Sequence, residues 1–188
     1  MNKLKKIMHE IKWNVMQNHY RKFIKPNSKI LDVGAGELYV SKLMQDSLKC
    51  KVIGVDIIDY GTNFVEHYTI RHNKFPFRNK SFDVVTFNDI LHHVGSKGQK
   101  QLLLEAKRVA KKIVILEDAK NIVSYVLDVL TNRPSMPKAL SHKNVEEWQE
   151  FGKKLGLKFE YHEVKTPFYY PLNHYIFTIG QNSGKDEI

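Results

Sequence analysis

The chain has 188 residues, 42% of them hydrophobic, which suits one α/β domain with a sizeable core and is too short for two ordinary domains. No apolar run approaches the roughly 20 residues of a membrane span, and the single cysteine, Cys50, excludes an intrachain disulfide or a cysteine-based zinc site. The formal net charge of +10 invites a phosphate-bearing partner, but scattered lysines carry it with only five arginines, the pattern of a solvated surface. A cytoplasmic protein without a membrane partner is expected.

Leu4, Ile7, Met8, Ile11 and Val15 recur at helical spacing and predict an amphipathic helix continuing toward Tyr20. Its role is either to pack across a sheet or to act as a lid, with Trp13, His19 or Tyr20 facing a pocket. Lys25-Pro26-Asn27-Ser28 is a turn, and residues 1–24 thus form an N-terminal helix or lid.

Ile30-Leu31-Asp32-Val33 then runs into Gly34-Ala35-Gly36-Glu37 and a helix-competent segment, Leu38 to Leu48. A strand feeding a glycine turn and a helix N-terminus leaves backbone N–H groups facing open space, which is a cradle for a ligand. The apolar run Lys51 to Val55 closes on Asp56, whose carboxylate suits a ribose. A nicotinamide dinucleotide is disfavoured, because Tyr39 stands where a third glycine would allow close helix packing.

The pair Leu-Asp-Val-Gly-Ala-Gly and Val-Ile-Gly-Val-Asp resembles the first two motifs of class I S-adenosylmethionine-dependent methyltransferases. Further along, Lys74-Phe75-Pro76-Phe77, Ser81-Phe82-Asp83 and the strand Val84 to Phe87 are similar to the type 11 group, named for its ubiquinone-pathway relatives. Glu105 and Arg108 match that group's Glu-x-x-Arg-Val, so the resemblance spans roughly Lys29 to Leu116. It implies a Rossmann-like α/β fold with a seven-stranded, mostly parallel sheet, an antiparallel last strand and helices on both faces.

The resemblance also implies S-adenosyl-L-methionine as cofactor. Gly34, Ala35 and Gly36 would admit its methionyl part, with Asp32 orienting the loop and Glu37 facing the cationic end. Asp56 would hold the ribose and Ile57 would pack the adenine. The group's usual adenine aspartate is replaced around Arg71 to Asn73, so Asn73 is the expected adenine contact. Asn88-Asp89-Ile90-Leu91-His92-His93 ends strand four, where open α/β sheets place ligands. Asn88 would face the reaction centre, and His92 or His93 would be the base or would pack the next short helix. No metal is expected, since the adjacent histidines lack a third ligand at useful spacing.

Gly98 to Ala110 predicts a helix and Ile113 to Leu116 a strand ending in Glu117-Asp118, two carboxylates that either bind a cationic or hydroxylated substrate, Glu117 being the expected contact, or cap the next helix, as Asp118 suits. Residues 118–140 read as an inserted helix and loop, where acceptor specificity would reside. Ser141 to Leu155 predicts a helix, and Leu157 to Val164 with Tyr175 to Ile179 a closing antiparallel pair. Pro167 to Pro171 form an aromatic loop in which Tyr169 would line the acceptor pocket. One methyltransferase domain over 1–180 and a disordered tail over 181–188 complete the reading.

The expected activity is methyl transfer to an oxygen or nitrogen of a small-molecule acceptor. RNA is the alternative acceptor. Leu38, the missing adenine aspartate and the absent Pro-Gly-Gly turn prompt a third reading, a non-catalytic cofactor-binding or regulatory protein.

Overall fold

The computed structural model describes residues 3–118, 141–167, 170 and 173–180. The expected inserted helix and loop beyond Asp118, Tyr169 and the tail lie outside the described residues. Seven strands form one sheet: β1 (Lys29–Val33), β2 (Lys51–Asp56), β3 (Glu66–Thr69), β4 (Phe82–Asn88), β5 (Ala110–Asp118), β6 (Glu160–Glu163) and β7 (His174–Gly180). Their order is β3-β2-β1-β4-β5-β7-β6, with β7 antiparallel to both neighbours and the other pairings parallel. This is the Rossmann-like arrangement the sequence predicts.

Central strands covered on both faces need apolar residues at successive positions. Alternation then sends neighbours to opposite sides. Leu31, Val85, Phe87, Ile113, Ile115 and Phe177 join one buried cluster, while Ile30, Val84, Val114, Leu116 and Ile176 join the other. Helices α3 (Ser96–Val109) and α4 (Val145–Lys154) close the first face through Leu103, Ala106 and Trp148. Helices α1 (Lys3–Tyr20) and α2 (Tyr39–Leu48) close the second through Trp13, Met16, Tyr20 and Met44.

Helix α4 starts four residues after Ser141 because Asn144 caps it. Its side chain accepts from the Glu147 amide at 2.8 Å, and the Glu147 carboxylate accepts from the Asn144 amide at 2.8 Å. The Glu105/Arg108 pair has a structural task. Arg108 donates to the carbonyls of Phe77 (2.7 Å) and Phe75 (3.0 Å) and to Glu105 (2.7 Å), which pins the turn before β4 onto α3.

Helix α1 reaches Tyr20 as its spacing predicts, but with the other face inward. Trp13, Met16 and Tyr20 are buried, whereas Leu4, Ile7, Met8 and Ile11 are 68%, 42%, 46% and 45% exposed. Two large aromatics decide the rotation, because each also finds a hydrogen-bond partner when buried. Trp13 Nε1 donates to Ser47 Oγ at 2.9 Å, and the Tyr20 hydroxyl donates to Asn88.

Trp148 is 1% exposed and lies against Phe151, Phe159 and Phe177. Trp148→Ala is expected to lower unfolding free energy by about 3–5 kcal/mol in denaturant titration, through lost burial and the cavity left behind.

Candidate active site

The sheet grows one way from β1 to β3 and the other way from β4, so strand order reverses between the carboxyl ends of β1 and β4. Such a switch point leaves a cleft for a ligand. The glycine turn forms one wall, and its two glycines serve different ends. Gly34 has φ +71°, and a Cβ there would lie 2.2 Å from Ile90 Cγ1, so this position makes room for the loop after β4. Gly36 has φ +53°, and a Cβ there would meet nothing within 4 Å, so it opens onto free space. Ala35 links them, its amide donating to Val55 O at 3.1 Å.

Asp56 braces this turn. Its Oδ2 accepts from the Gly36 amide at 2.8 Å and its Oδ1 from the Ile58 amide at 3.1 Å. A carboxylate has about four acceptor sites, so the group retains capacity for ribose hydroxyls. Ile57 beside it is 56% exposed, an apolar surface at the cleft. Leu38 adopts φ 64°, the left-handed conformation that glycine takes freely, at the N-cap of α2. Its side chain is buried and lies where a Cβ on Gly54 would meet Leu38 Cδ2 at 2.5 Å. Packing into the space left by Gly54 thus compensates for an unfavourable backbone.

Asp32 is 2% exposed and makes no opening to the cleft. Its Oδ2 accepts from Ser41 Oγ at 2.6 Å, and its Oδ1 from Thr86 Oγ1 at 2.8 Å and Asn88 Nδ2 at 2.6 Å. Burial pushes the carboxyl above its usual range, and the three hydrogen bonds oppose that rise. Asn88 in turn accepts from Tyr20, so Tyr20, expected in the substrate pocket, is the fully buried anchor of α1. Burial also raises its phenol well above the ordinary value. Asn73 sits at φ 54° in the turn after β3, and its amide donates to Gln101 Oε1 at 3.1 Å, which turns it toward α3. Glu37 is buried, 3.5 Å from Lys5 Nζ.

The loop after β4 carries the histidines on a single 3₁₀ turn, Leu91–His93, and both are buried. Glu117, at the end of β5, holds this loop. It accepts from the amides of Ile90 (3.2 Å) and Leu91 (2.7 Å) and lies 2.6 Å from His92 Nδ1. A carboxylate on one imidazole nitrogen fixes the ring's orientation and tautomer. The His93 ring centroid lies 4.1 Å from that of His92.

Four residues absent from the expected site join it. His142 stacks on His92 with centroids 4.3 Å apart and planes within 12°, and its Nε2 is 3.2 Å from Asp118 Oδ1. The donor atoms of His92, Asp118 and His142 lie within 4.8 Å of one another. Parallel rings, however, cannot aim in-plane lone pairs at one ion, so this arrangement presents no convergent metal ligands. Asp89, at φ 49°, bonds Lys12 of α1 and lies 3.2 Å from His174 Nε2. Burial would raise the Asp89 carboxyl, but Lys12 and His174 outweigh it and hold it well below the carboxylate range. The register Asp118↔His174 brings His174 here, a placement that only the antiparallel pairing creates. Asp89 was within reach of sequence reasoning, since Asp tolerates positive φ at a strand-to-turn junction.

Residues 31–116 match the family model described as "Methyltransferase domain". Comparison with curated protein sequences finds no match. Among solved structures, a Pyrococcus horikoshii protein superposes with TM-score 0.69 at 19% identity, covering 92% of this chain and 90% of that one. A SAM-dependent methyltransferase from Aquifex aeolicus gives 0.63 at 17% identity, over 88% of each chain. The magnesium protoporphyrin IX methyltransferase of Synechocystis, with bound S-adenosylhomocysteine, gives 0.59 at 12% identity over 96% of this chain and 88% of that one. The fold is that of these methyltransferase structures, and the match over residues 31–116 is consistent with a class I, type 11-like methyltransferase domain. Both findings support an S-adenosylmethionine-dependent methyltransferase, with S-adenosyl-L-methionine as cofactor.

Helix α1 roofs this cleft through Tyr20–Asn88, Lys12–Asp89 and Tyr39–Glu10. Tyr39's phenol is pushed up to about 12, first by the hydrogen bond to Glu10. His9 lies on the same helix, and its pKa is lowered to about 4, first by burial and then by Lys12 and Lys5. Its unfolded-state value is about 6.5. Between about 6.5 and 4 the unfolded chain therefore binds the proton more readily, so stability is intact above that window and falls as pH drops through it. The thermal midpoint is expected to decline between pH 7 and pH 4.5, and His9→Phe to flatten that decline.

Proposed function

We propose that the methyl acceptor is a small molecule presenting a hydroxyl or amine, cationic or neutral. The observation that carries this reading is the concentration of acids at the carboxyl end of the sheet. Glu37, Glu117 and Asp118 are buried there and Asp89 nearly so, and the Lys5 and Lys12 ammoniums among them are paired with Glu37 and Asp89. Such a lining repels a polyphosphate backbone, and it attracts an amine or accepts from a hydroxyl. The net charge of +10 thus belongs mainly to the outer surface. The Synechocystis neighbour, a magnesium protoporphyrin IX methyltransferase, is in keeping with a small acceptor.

In this reading the open backbone at Gly36 receives the methionyl part, Asp56 accepts from the ribose hydroxyls and Ile57 packs on the adenine. S-adenosylmethionine supplies an electrophilic methyl group when bound. His92 acts on the acceptor. With Nδ1 engaged by Glu117 at 2.6 Å, proton exchange falls to Nε2, and the carboxylate stabilises the imidazolium that forms. His93 packs against this ring. Asp32 and Asn88 position the turn and the loop without touching the acceptor, and Asn73 supports the adenine side through its own turn.

Calorimetric titration with S-adenosylmethionine and S-adenosylhomocysteine tests the cofactor site. Asp56→Ala is expected to weaken both by about tenfold or more, because hydrogen bonds to a charged group contribute about 1.5–3 kcal/mol each. Equal binding to wild type and variant overturns the assignment. His92→Gln is expected to lower kcat by about a hundredfold or more, and to remove the acid limb of the pH–rate profile with cofactor affinity unchanged. An unaltered profile removes His92 as the base. Methyl transfer to RNA, or salt-sensitive RNA affinity, overturns the small-molecule reading.

A further inference from the structure

Helix α1 carries two apolar faces. One is buried through Trp13, Met16 and Tyr20, and the opposite one is formed by Leu4, Ile7, Met8 and Ile11 at positions i, i+3, i+4 and i+7. All four are large, and each is at least 42% exposed. At about 100° per residue they form one continuous stripe, with Lys3 along one edge and Lys5 and Lys12 along the other. Lys5 and Lys12 reach down to Glu37 and Asp89, and Lys3 and Lys6 are exposed. Glu10 is the helix's one acid, and its carboxylate is bonded by Tyr39.

The placement of these charges is costly within the fold. Lysines at positions 3, 5 and 6 occupy the helix N-terminus, where the macrodipole favours acids, and the first turn contains none. Lys5 is accounted for by Glu37 and Lys6 by the face of the Tyr39 ring, 5.2 Å from its Nζ, which leaves Lys3, exposed at the edge of the stripe, as the cation turned to the outside. An exposed apolar stripe edged by an exposed lysine, on a chain of net charge +10, suits a helix resting in a lipid–water interface. A protein partner fits less well, because lysine is depleted in protein interfaces. Nucleic acid offers nothing to four exposed aliphatic side chains.

We propose that α1 docks this methyltransferase on an anionic lipid surface through Leu4, Ile7, Met8 and Ile11, with the N-terminal lysines meeting the headgroups. This is binding at the surface. Among the described residues no helix is long and apolar enough to cross a membrane. Helix α1 would then join the surface on one face to the cleft through Tyr20 and Lys12 on the other, and the acceptor of an enzyme held there would be an amphiphile with a polar head. This extends the small-molecule reading above, yet the docking itself can be measured without cofactor or methyl transfer, so the two can fail separately.

The test is co-sedimentation of the full chain with vesicles of phosphatidylcholine alone and of phosphatidylcholine with 30% phosphatidylserine, about, at low and at 0.5 M salt, roughly bracketing the screening range. Expected is at least about tenfold tighter partitioning to the anionic vesicles, lost at high salt. The Ile7→Glu/Met8→Glu variant is expected to reduce partitioning about tenfold or more while its thermal midpoint stays close to wild type, since both side chains are exposed. Lys3→Glu/Lys6→Glu should abolish the preference for anionic vesicles and serves if the first variant fails to fold. No vesicle binding, or binding unchanged in both variants, overturns the proposal. A shift from dimer to monomer on Ile7→Glu/Met8→Glu in sedimentation velocity, without vesicle binding, assigns the stripe to a second copy of the chain and overturns it as well.

Discussion

One buried carboxylate holds the working end of this molecule together. Asp32 accepts from α2 through Ser41 and from β4 through Thr86 and Asn88, while Asn88 accepts from Tyr20 of α1. Two strands and two helices are thereby joined at the switch point where the cleft opens. A charge placed in so apolar a setting persists because its hydrogen-bond capacity is filled, and losing one partner would leave buried polar groups unmatched. The glycine turn and the loop after β4 inherit their positions from this node. Asp32 thus fixes the geometry of this end of the sheet.

A second carboxylate repeats the device one strand further on. Glu117 takes two backbone amides and the His92 ring, so the loop that bears the histidines is defined by a residue on β5. The pairing of β4 with β5, Asn88↔Leu116, sets the register that makes this reach possible. Acids at the carboxyl edge satisfy amides at strand ends, as Asp56 and Glu117 both do.

Helix α1 shows how tertiary contacts overrule a periodic pattern. Its aliphatic spacing marks one apolar face, but Trp13 and Tyr20 bury more surface and bring a donor each to Ser47 and Asn88. The face they select is inward, and the aliphatic face is left to the outside. Hydrophobic periodicity reports that a face is apolar; it does not say which of two apolar faces finds the sheet.

The sequence by itself determined the strand–glycine turn–helix unit, the carboxylate at Asp56, the order of strands and helices and the position of His92 and His93 at the end of β4, because each depends on residues close in the chain. It also placed Asp32 as a support. Only the tertiary structure decided that Gly34 yields its space to Ile90 while Gly36 stays open, that Tyr20 is an anchor, and that Asn73 turns to Gln101. It alone brought Glu117, Asp118, His142 and His174 around the histidine loop. Those contacts join residues 24 to 85 positions apart, and their geometry follows from strand register and helix packing, which no local spacing encodes.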